Sequence, residues 1–253
     1  MNRLITDILK KKPHLEGPLR FYEKSLLFSN SVRALKLTAR PEQHAYASAD
    51  IETVFELFSS HIELPEGSLS PLKQAMEVGD IDFTRLPLGE VPAFSLPYAE
   101  DDLVMLLFLL SKPYFHALRD ACRLDGLPWE KNACPLCGAA PSLVWSSHDG
   151  QRQAACPFCG TTGPVGRSGC LTCGIIDEAN QKVLRFEGEE GVGINSCGLC
   201  RFYVKAVDEG LIQQLTPELA DLVSLPLDIV VQEKGYKRRS PNPVGMRKIA
   251  TNG

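Results

Sequence analysis

The fold of this chain depends on four motifs of one spacing: Cys134-Pro-Leu-Cys137, Cys156-Pro-Phe-Cys159, Cys170-Leu-Thr-Cys173 and Cys197-Gly-Leu-Cys200. They contain eight of its nine cysteines. A C-x-x-C turn places two sulfurs on one side of a tight loop, and two such turns that face each other form a tetrahedral four-sulfur site for zinc or iron. The motifs therefore predict two metal sites.

The residue after each motif supports this interpretation. Glycine follows the second cysteine in three of the four motifs, and glycine adopts the positive φ of a metal-binding turn at low cost. The fourth motif has Gly198 inside it and Arg201 after it, so we expect its turn to differ in detail. Disulfides, inert core thiols and a catalytic C-x-x-C pair are the alternatives. Four identical spacings favour metal, because C-x-x-C disulfides are strained and structural disulfides are usually spaced irregularly.

The segments between the motifs indicate which motifs share a metal. Residues 142–155 carry an apolar run, an Asp149-Gly150 turn and a second extended run, which predicts a β-hairpin. Residues 182–186 and a glycine-rich bend predict a second β unit before Cys197. The predicted ligands are then Cys134, Cys137, Cys156 and Cys159 at the first site, and Cys170, Cys173, Cys197 and Cys200 at the second. An interleaved arrangement, in which the second and third motifs share a metal, stays open.

The composition is that of an ordinary soluble globular protein. The chain has 253 residues, 44% of them hydrophobic, and a formal net charge of -4, which argues against a general nucleic-acid binder. The first residues lack the apolar region of a signal peptide, and the longest apolar run, residues 103–110, is too short for membrane insertion. Metal-type cysteines without an export signal favour the reducing cytoplasm.

Outside the cysteine region the chain is predicted to be helical. Apolar periodicity predicts one helix over about residues 18–40, ended by Pro41, and another that begins near Asp50. A short helix is expected near residues 72–78, and a long helix over residues 102–123 with a kink or break at Pro113.

The C-terminal region combines a strand, a helix and a basic tail. Residues 201–207 alternate like an edge strand that completes the second β unit. Thr216 and Pro217 predict the start of a helix, with a bend at Pro226. The tail, residues 234–248, is rich in lysine and arginine and is either a solvated end or a docking strip for an acidic partner.

Together these patterns predict an α+β protein in four parts. They are a helical domain (residues 1–128), a first rubredoxin-like or zinc-ribbon metal module (129–165), a second such module (166–210), and a C-terminal helix with a basic tail (211–253).

Several motifs together resemble the formate dehydrogenase accessory protein family, FdhE. They are Pro128-Trp129, Cys134-Pro-Leu-Cys137-Gly-Ala-Ala-Pro141 with the three later C-x-x-C turns, Tyr203-Val-Lys205, the helix segment from Ala220-Asp221-Leu222 to Asp228, and the closing Gly235-Tyr236-Lys-Arg238-Arg-Ser-Pro-Asn242-Pro243. The resemblance is specific over residues 129–243. The chain departs from the family in a short N-terminal half and in Asn195, where an acidic residue is expected.

The resemblance implies a cytoplasmic, non-catalytic maturation factor. It implies two rubredoxin-type iron ions, with zinc as the alternative metal, and binding to the catalytic subunit of a molybdenum- or tungsten-dependent formate dehydrogenase. A homodimer stays open. The family's closing motif suggests partner-binding residues at Gly235, Tyr236, Arg238, Asn242 and Pro243.

Other function classes receive less support from the residues. A rubredoxin-like one-electron carrier is the main alternative, because iron in a four-sulfur site changes oxidation state with little change in geometry. A zinc-ribbon nucleic-acid module needs a basic surface, whereas the ribbons carry more acids than bases. No nucleophile-elbow, P-loop or dinucleotide motif is present. A four-cysteine site also leaves no open coordination position for a substrate, which argues against an enzyme.

Overall fold

A computed structural model describes residues 2–35, 48–81, 96–122 and 124–249. Its helices are α1 (Asn2–Lys11), α2 (Glu16–Ala34), α3 (Ser48–Ile62), α4 (Ser70–Glu77), α5 (Glu100–Cys122), α6 (Glu209–Gln214), α7 (Pro217–Val223) and α8 (Leu225–Glu233). Its strands are β1 (Leu143–Ser146), β2 (Arg152–Ala155), β3 (Thr162–Pro164), β4 (Gln181–Arg185), β5 (Val192–Cys197), β6 (Phe202–Val207) and β7 (Lys237–Arg238). The mixture of helices and sheet confirms the predicted α+β class. In these ranges no helix combines the length and apolarity that a membrane span requires.

The N-terminal helices largely follow the apolar periodicity. Helices α2, α3 and α4 lie where they were predicted, although the expected end of α2 at Pro41 falls outside the described residues. A kink or break was predicted at Pro113, and the break is wrong, because α5 continues through this residue. Buried side chains on both sides of Pro113, including Leu110 and Tyr114, hold the two halves of α5 in one core.

This core extends from the helices into the first cysteine module. Phe28 of α2 and Phe58 of α3 pack edge to face with ring centroids 5.0 Å apart. Phe108 and Phe115 of α5 contact Phe158, which lies between two cysteines of the second motif, at centroid distances of 4.6 and 6.3 Å. Edge-to-face aromatic pairs are favourable beyond their buried area. The first module therefore packs against helix α5.

The seven strands form one sheet in the order β3-β2-β1-β6-β5-β4, with β7 paired to β6. The predicted hairpin is β1–β2, and the predicted second unit is β4–β5. Strand β6 was predicted to be an edge strand, and this is wrong. It pairs with β5 in antiparallel fashion and with β1 and β7 in parallel. The alternation of apolar and polar residues in β6 indicates that one face of the sheet is covered. It does not indicate whether another strand pairs with each edge of β6.

Helices α7 and α8 cover that face and tie the sheet to the N-terminal helices. Leu227 and Val231 of α8 lie in one cluster with Leu143 and Ile194 of the sheet. Leu222 of α7 lies in a second cluster with residues of α1 and α2. The Thr216 hydroxyl accepts a hydrogen bond from the Leu219 amide at 3.3 Å, which confirms the predicted N-cap. The expected bend at Pro226 is a break between α7 and α8 at Ser224.

The parallel pairing of β1 with β6 joins the two cysteine modules. Leu143 of the first module is in register with Lys205, and Trp145 with Val207. The modules therefore share one sheet in addition to the linker between them. The exact limits of the four predicted parts stay a prediction.

Candidate metal centres

The four C-x-x-C turns have one backbone geometry. In each, the amide of the residue after the second cysteine donates to the carbonyl of the first cysteine. These bonds are Gly138 to Cys134 (2.8 Å), Gly160 to Cys156 (3.1 Å), Gly174 to Cys170 (2.9 Å) and Arg201 to Cys197 (3.0 Å). The four donor residues have φ values of 69°, 71°, 75° and 60°.

Arg201 corrects the expectation that the fourth turn differs. It has the same left-handed conformation as the three glycines, which costs a non-glycine residue about 1–2 kcal/mol. Two contacts of its side chain offset this cost. The guanidinium donates to the Lys234 carbonyl at 2.6 Å and lies over the Tyr236 ring, 4.1 Å from its centroid. The turn thus depends on the C-terminal segment.

The first site is a closed group of four buried thiols. Cys134, Cys137, Cys156 and Cys159 are at most 3% exposed, and their sulfurs all lie within 4.8 Å of one another. The Cys134–Cys159, Cys137–Cys156 and Cys137–Cys159 sulfur distances are 3.5, 3.4 and 3.9 Å. A disulfide requires about 2.05 Å, whereas tetrahedral coordination with bonds of about 2.3 Å places sulfurs roughly 3.8 Å apart. The distances fit a metal site and exclude disulfides.

The second site has the same composition and lies nearer the surface. Cys170 and Cys200 are separated by 3.6 Å between sulfurs, and Cys173 and Cys197 by 3.9 Å. Cys197 is buried, Cys170 and Cys200 are half-buried, and Cys173 is exposed. The structure thus brings the cysteines together in the predicted sequential groups rather than the interleaved ones. Each group could hold a metal ion, and the role of each thiol as a ligand stays a prediction.

The ionisation chemistry of the thiols also fits a bound cation. Burial, reinforced by the neighbouring thiols, raises the pKa of Cys200 to about 12 and that of Cys156 well above the ordinary thiol value. Four thiolates therefore do not coexist at either site without a positive charge among them. A divalent or trivalent ion supplies this charge and displaces the protons.

The surroundings of the two sites differ. At the first site, a Cβ added to Gly160 would lie 2.6 Å from the Arg119 guanidinium, so this turn packs directly against α5. At the second site, the exposed thiol of Cys173 lies in a region with two large exposed apolar side chains, Ile176 (69% exposed) and Leu199 (60% exposed). The first site is therefore part of the core, and the second is accessible.

Comparison with known proteins gives a consistent result. Residues 169–244, which contain the second site, match the family model described as "FdhE, C-terminal domain". This segment resembles the C-terminal domain of the FdhE family. Proteins named "Protein FdhE homolog" include one from Aquifex aeolicus, 27% identical over 57% of this chain and 53% of its own length. Another, from Rhizobium meliloti, is 28% identical over 78% of this chain and 67% of its own length.

A crystal structure of the FdhE protein from Pseudomonas aeruginosa has a similar fold. The TM-score is 0.52 at 22% sequence identity, over 82% of this chain and 67% of that one. The chain spans about half to two thirds of the length of these relatives. The resemblance to the FdhE family is thus confirmed.

The segment that matches the FdhE model contains a buried charge network that the sequence analysis did not identify. The Lys205 ammonium lies 2.7 Å from an oxygen of Asp221 and 2.5 Å from an oxygen of Asp228, and it also donates to the Asp221 carbonyl at 2.7 Å. Arg238 pairs with both carboxylates at 2.6 and 2.9 Å, and the Tyr203 hydroxyl donates to Asp228 at 2.6 Å. The four charged side chains are almost fully buried. The sequence signal that could have identified the network is the presence of charged residues at inward positions, Lys205 in β6 and Asp221 in an apolar helix.

Burial opposes ionisation of Asp221, but the charges of Arg238 and Lys205 outweigh it and lower its pKa. The network therefore keeps the Asp221 carboxylate ionised in the core. It fixes β6 to α7, α8 and the closing segment through four mutually compensating charges.

Residues of the closing motif (235–243) belong to the charge network or pack beside it. Arg238 belongs to the charge network, and Asn242 is buried and accepts hydrogen bonds from the amides of Val244 (3.1 Å) and Met246 (2.9 Å). Tyr236 and Pro243 are buried, and Gly235 is exposed. The interpretation of residues 234–248 as a solvated end is therefore wrong, because much of this segment packs against the sheet. A partner-binding role for the five motif residues stays a prediction.

Proposed function

We propose that this chain is a non-catalytic accessory factor for a molybdenum- or tungsten-dependent formate dehydrogenase, and that it binds the catalytic subunit in the cytoplasm. The observation that carries the proposal is the FdhE C-terminal domain at residues 169–244, joined to two four-cysteine groups. The relatives carry the name FdhE, and the family is one of formate dehydrogenase accessory proteins.

The arrangement supports a role as a rigid binding platform. Each four-cysteine group ties two loops together, and the β1–β6 pairing connects the groups through one sheet. Metal binding to such groups contributes directly to folding free energy. Because the sites are closed by four thiols, a bound ion has a structural or redox role and offers no position for a substrate. Rubredoxin-type iron is the metal we propose, with zinc as the alternative.

A groove beside the closing motif is the best-supported partner surface. It has a volume of about 540 Å³ and lies between the N-terminal end of α5 and the closing segment. Its lining includes Phe202, Gly235, Tyr236, Arg238, Lys237, Arg247 and Lys248, together with Glu100 and Asp101 of α5. Three of the predicted partner-binding residues thus form part of its wall. Aromatic groups with charged residues at the rim are typical of a protein-binding surface.

Affinity purification tests this proposal directly. The tagged chain is expressed anaerobically in a formate dehydrogenase-producing host, and the co-purifying proteins and the metal content are measured on one sample. We expect a formate dehydrogenase catalytic subunit with the wild-type chain and less of it with K237E/K248E, which reverses two groove charges. The variant K11E, which reverses an exposed charge on α1, is the matched control. Recovery of no molybdenum- or tungsten-containing enzyme would contradict the proposal.

A second candidate is a one-electron carrier, which the accessible second site favours. The exposed Cys173 and the apolar side chains of Ile176 and Leu199 would allow a redox partner to approach a bound ion closely. Reversible reduction of bound iron by a formate dehydrogenase would support this function. If the zinc-loaded protein still restores formate dehydrogenase activity, electron transfer is not the role.

A further inference from the structure

A cavity beside the second metal site is lined by positive charge. It has a volume of about 300 Å³ and lies between the β1–β2 hairpin and the β4–β5 unit. Three cations line it: Arg152, Arg167 and Lys182. Two cysteines of the second metal site, Cys170 and Cys197, also line it. Hydroxyl and amide groups contribute further to the polar part of the wall: Ser146, Ser168, Thr172, Gln181, Asn195 and Ser196.

The described residues contribute no carboxylate to this wall. This is unexpected from composition, because the chain has 31 acidic and 27 basic residues. The acid next to the wall residue Gly150 has another partner, because Asp149 accepts a hydrogen bond from the Ser147 hydroxyl. The fold therefore places cations, and no carboxylates of the described residues, in the wall of this cavity.

The cations of the cavity also lack carboxylate counterions in the part of the chain that the structure describes. The Arg152 guanidinium donates to the Gly169 carbonyl at 3.2 Å, and that of Arg167 to the Gln151 side-chain oxygen at 3.3 Å. Among the described residues, no aspartate or glutamate forms an ion pair with Arg152, Arg167 or Lys182. A half-buried guanidinium without a carboxylate partner gains charge-assisted hydrogen bonds when an anion approaches it.

We propose that this cavity binds a small phosphate-bearing ligand. A guanidinium presents its N–H donors in a planar fork that matches two phosphate oxygens, and hydroxyl and amide groups can donate to the others. The volume is at the lower end of small-molecule pockets, which suits a phosphate group with few attached atoms. Arg167 and Lys182 are exposed, so they add positive potential at the entrance.

Arg152 also lies close enough to Cys170 to offset part of the charge of a metal–thiolate group. This role alone does not account for the cavity. Arg167 and Lys182 are exposed to water, where their charges need no such compensation, and they still line the same space. Separate variants can therefore distinguish ligand binding from support of the metal site.

Isothermal titration calorimetry on the metal-loaded full chain tests the inference. Inorganic phosphate and pyrophosphate are titrated separately at constant ionic strength, with metal content measured for every variant. We expect saturable binding with one ligand per chain. R152Q should weaken it about tenfold or more, since a charge-assisted hydrogen bond is lost. Tighter binding of phosphate indicates a free anion, and tighter binding of pyrophosphate indicates a phosphorylated molecule.

Two further variants separate the proposal from general electrostatics and from misfolding. R167Q/K182Q removes two exposed cations of the cavity, so it should keep the fold and the metal and still weaken binding. R185Q removes an equivalent charge from β4 outside the cavity and should leave binding unchanged. Absence of saturable binding to the wild-type chain would overturn the proposal. Unchanged affinity in R167Q/K182Q, or an equal loss in R185Q, would overturn it as well.

Discussion

Replacing Lys205 with methionine tests how strongly the buried charge network holds β6 to helices α7 and α8. The Lys205 ammonium donates a hydrogen bond to the Asp221 carbonyl at 2.7 Å, and it forms ion pairs with the carboxylates of Asp221 and Asp228 at 2.7 and 2.5 Å. Methionine has a similar length and can fill the space, but it supplies no charge. Arg238 would then face two carboxylates alone, and the buried group would carry a net charge of about -1.

The expected loss of stability follows from this imbalance. Removing one partner of a buried ion pair costs about 3–5 kcal/mol, because the remaining charge is desolvated and unpaired. We therefore expect K205M to lower the free energy of unfolding of the metal-loaded protein by about 3–5 kcal/mol. A second change, D228N, removes the excess negative charge and keeps an oxygen for Tyr203 and Arg238. The double variant K205M/D228N should recover about 1–2 kcal/mol of this loss.

Urea unfolding followed by far-ultraviolet circular dichroism measures these differences, with metal content determined before each titration. K182M is the matched control, since it makes the same substitution at an exposed position of the same sheet and should change stability by less than about 0.5 kcal/mol. A decrease in the free energy of unfolding of less than about 1 kcal/mol for K205M would refute the reasoning, because removal of the central cation from a stabilising buried network should cost more. A double variant less stable than K205M would refute it also.

Three further predictions address histidine ionisation, the fourth turn and metal release. Burial, with Lys112 as the next cause, lowers the pKa of His116 to about 4. Because the unfolded chain takes up this proton near pH 6.5, stability should fall by up to about 3 kcal/mol as the pH falls from about 6.5 to 4. H116L should flatten this dependence in urea titrations and the exposed-site control H14Q should not; equal slopes in both variants would contradict the assignment. At the fourth turn, R201A should be less stable than R201G by about 1 kcal/mol in thermal unfolding. Both variants lose the Arg201 contacts, and only alanine retains the cost of a positive φ. Equal stability would show that the left-handed conformation is not retained. A chelator should remove metal from the second site before the first, because Cys173 is exposed and the thiols of the first site are buried. Metal analysis of C173S and wild type over time checks this order. Release of metal from the first site before the second would contradict the prediction.

The sequence was most informative where local chemistry determines structure. The C-x-x-C spacing, the Asp149-Gly150 turn and the Thr216 cap each act over a few residues, and the structure has the expected turns, hairpin and helix start. The grouping of the cysteines followed for the same reason. Each site joins motifs that are neighbours along the chain.

Features that depend on distant parts of the chain could not be predicted in this way. The parallel pairing of β1 with β6 joins residues 143 and 205, and nothing in either strand specifies the other. This pairing is what makes β6 a central strand. Arg201 adopts the conformation of a glycine because Lys234 and Tyr236 hold its side chain, and this contact is visible only in the folded protein. Arg238 looked like part of a basic surface because its two aspartates lie on separate helices.

Metal stoichiometry and coordination measured on one sample test the metal-centred interpretation most directly. The anaerobically purified chain is analysed for iron and zinc per molecule and by X-ray absorption at the edge of the metal found. We expect two ions per chain, each with four sulfur neighbours at about 2.3 Å. Fewer than two ions, nitrogen or oxygen ligands in place of sulfur, or cysteines joined as disulfides would contradict the assignment of the eight thiols to two metal sites.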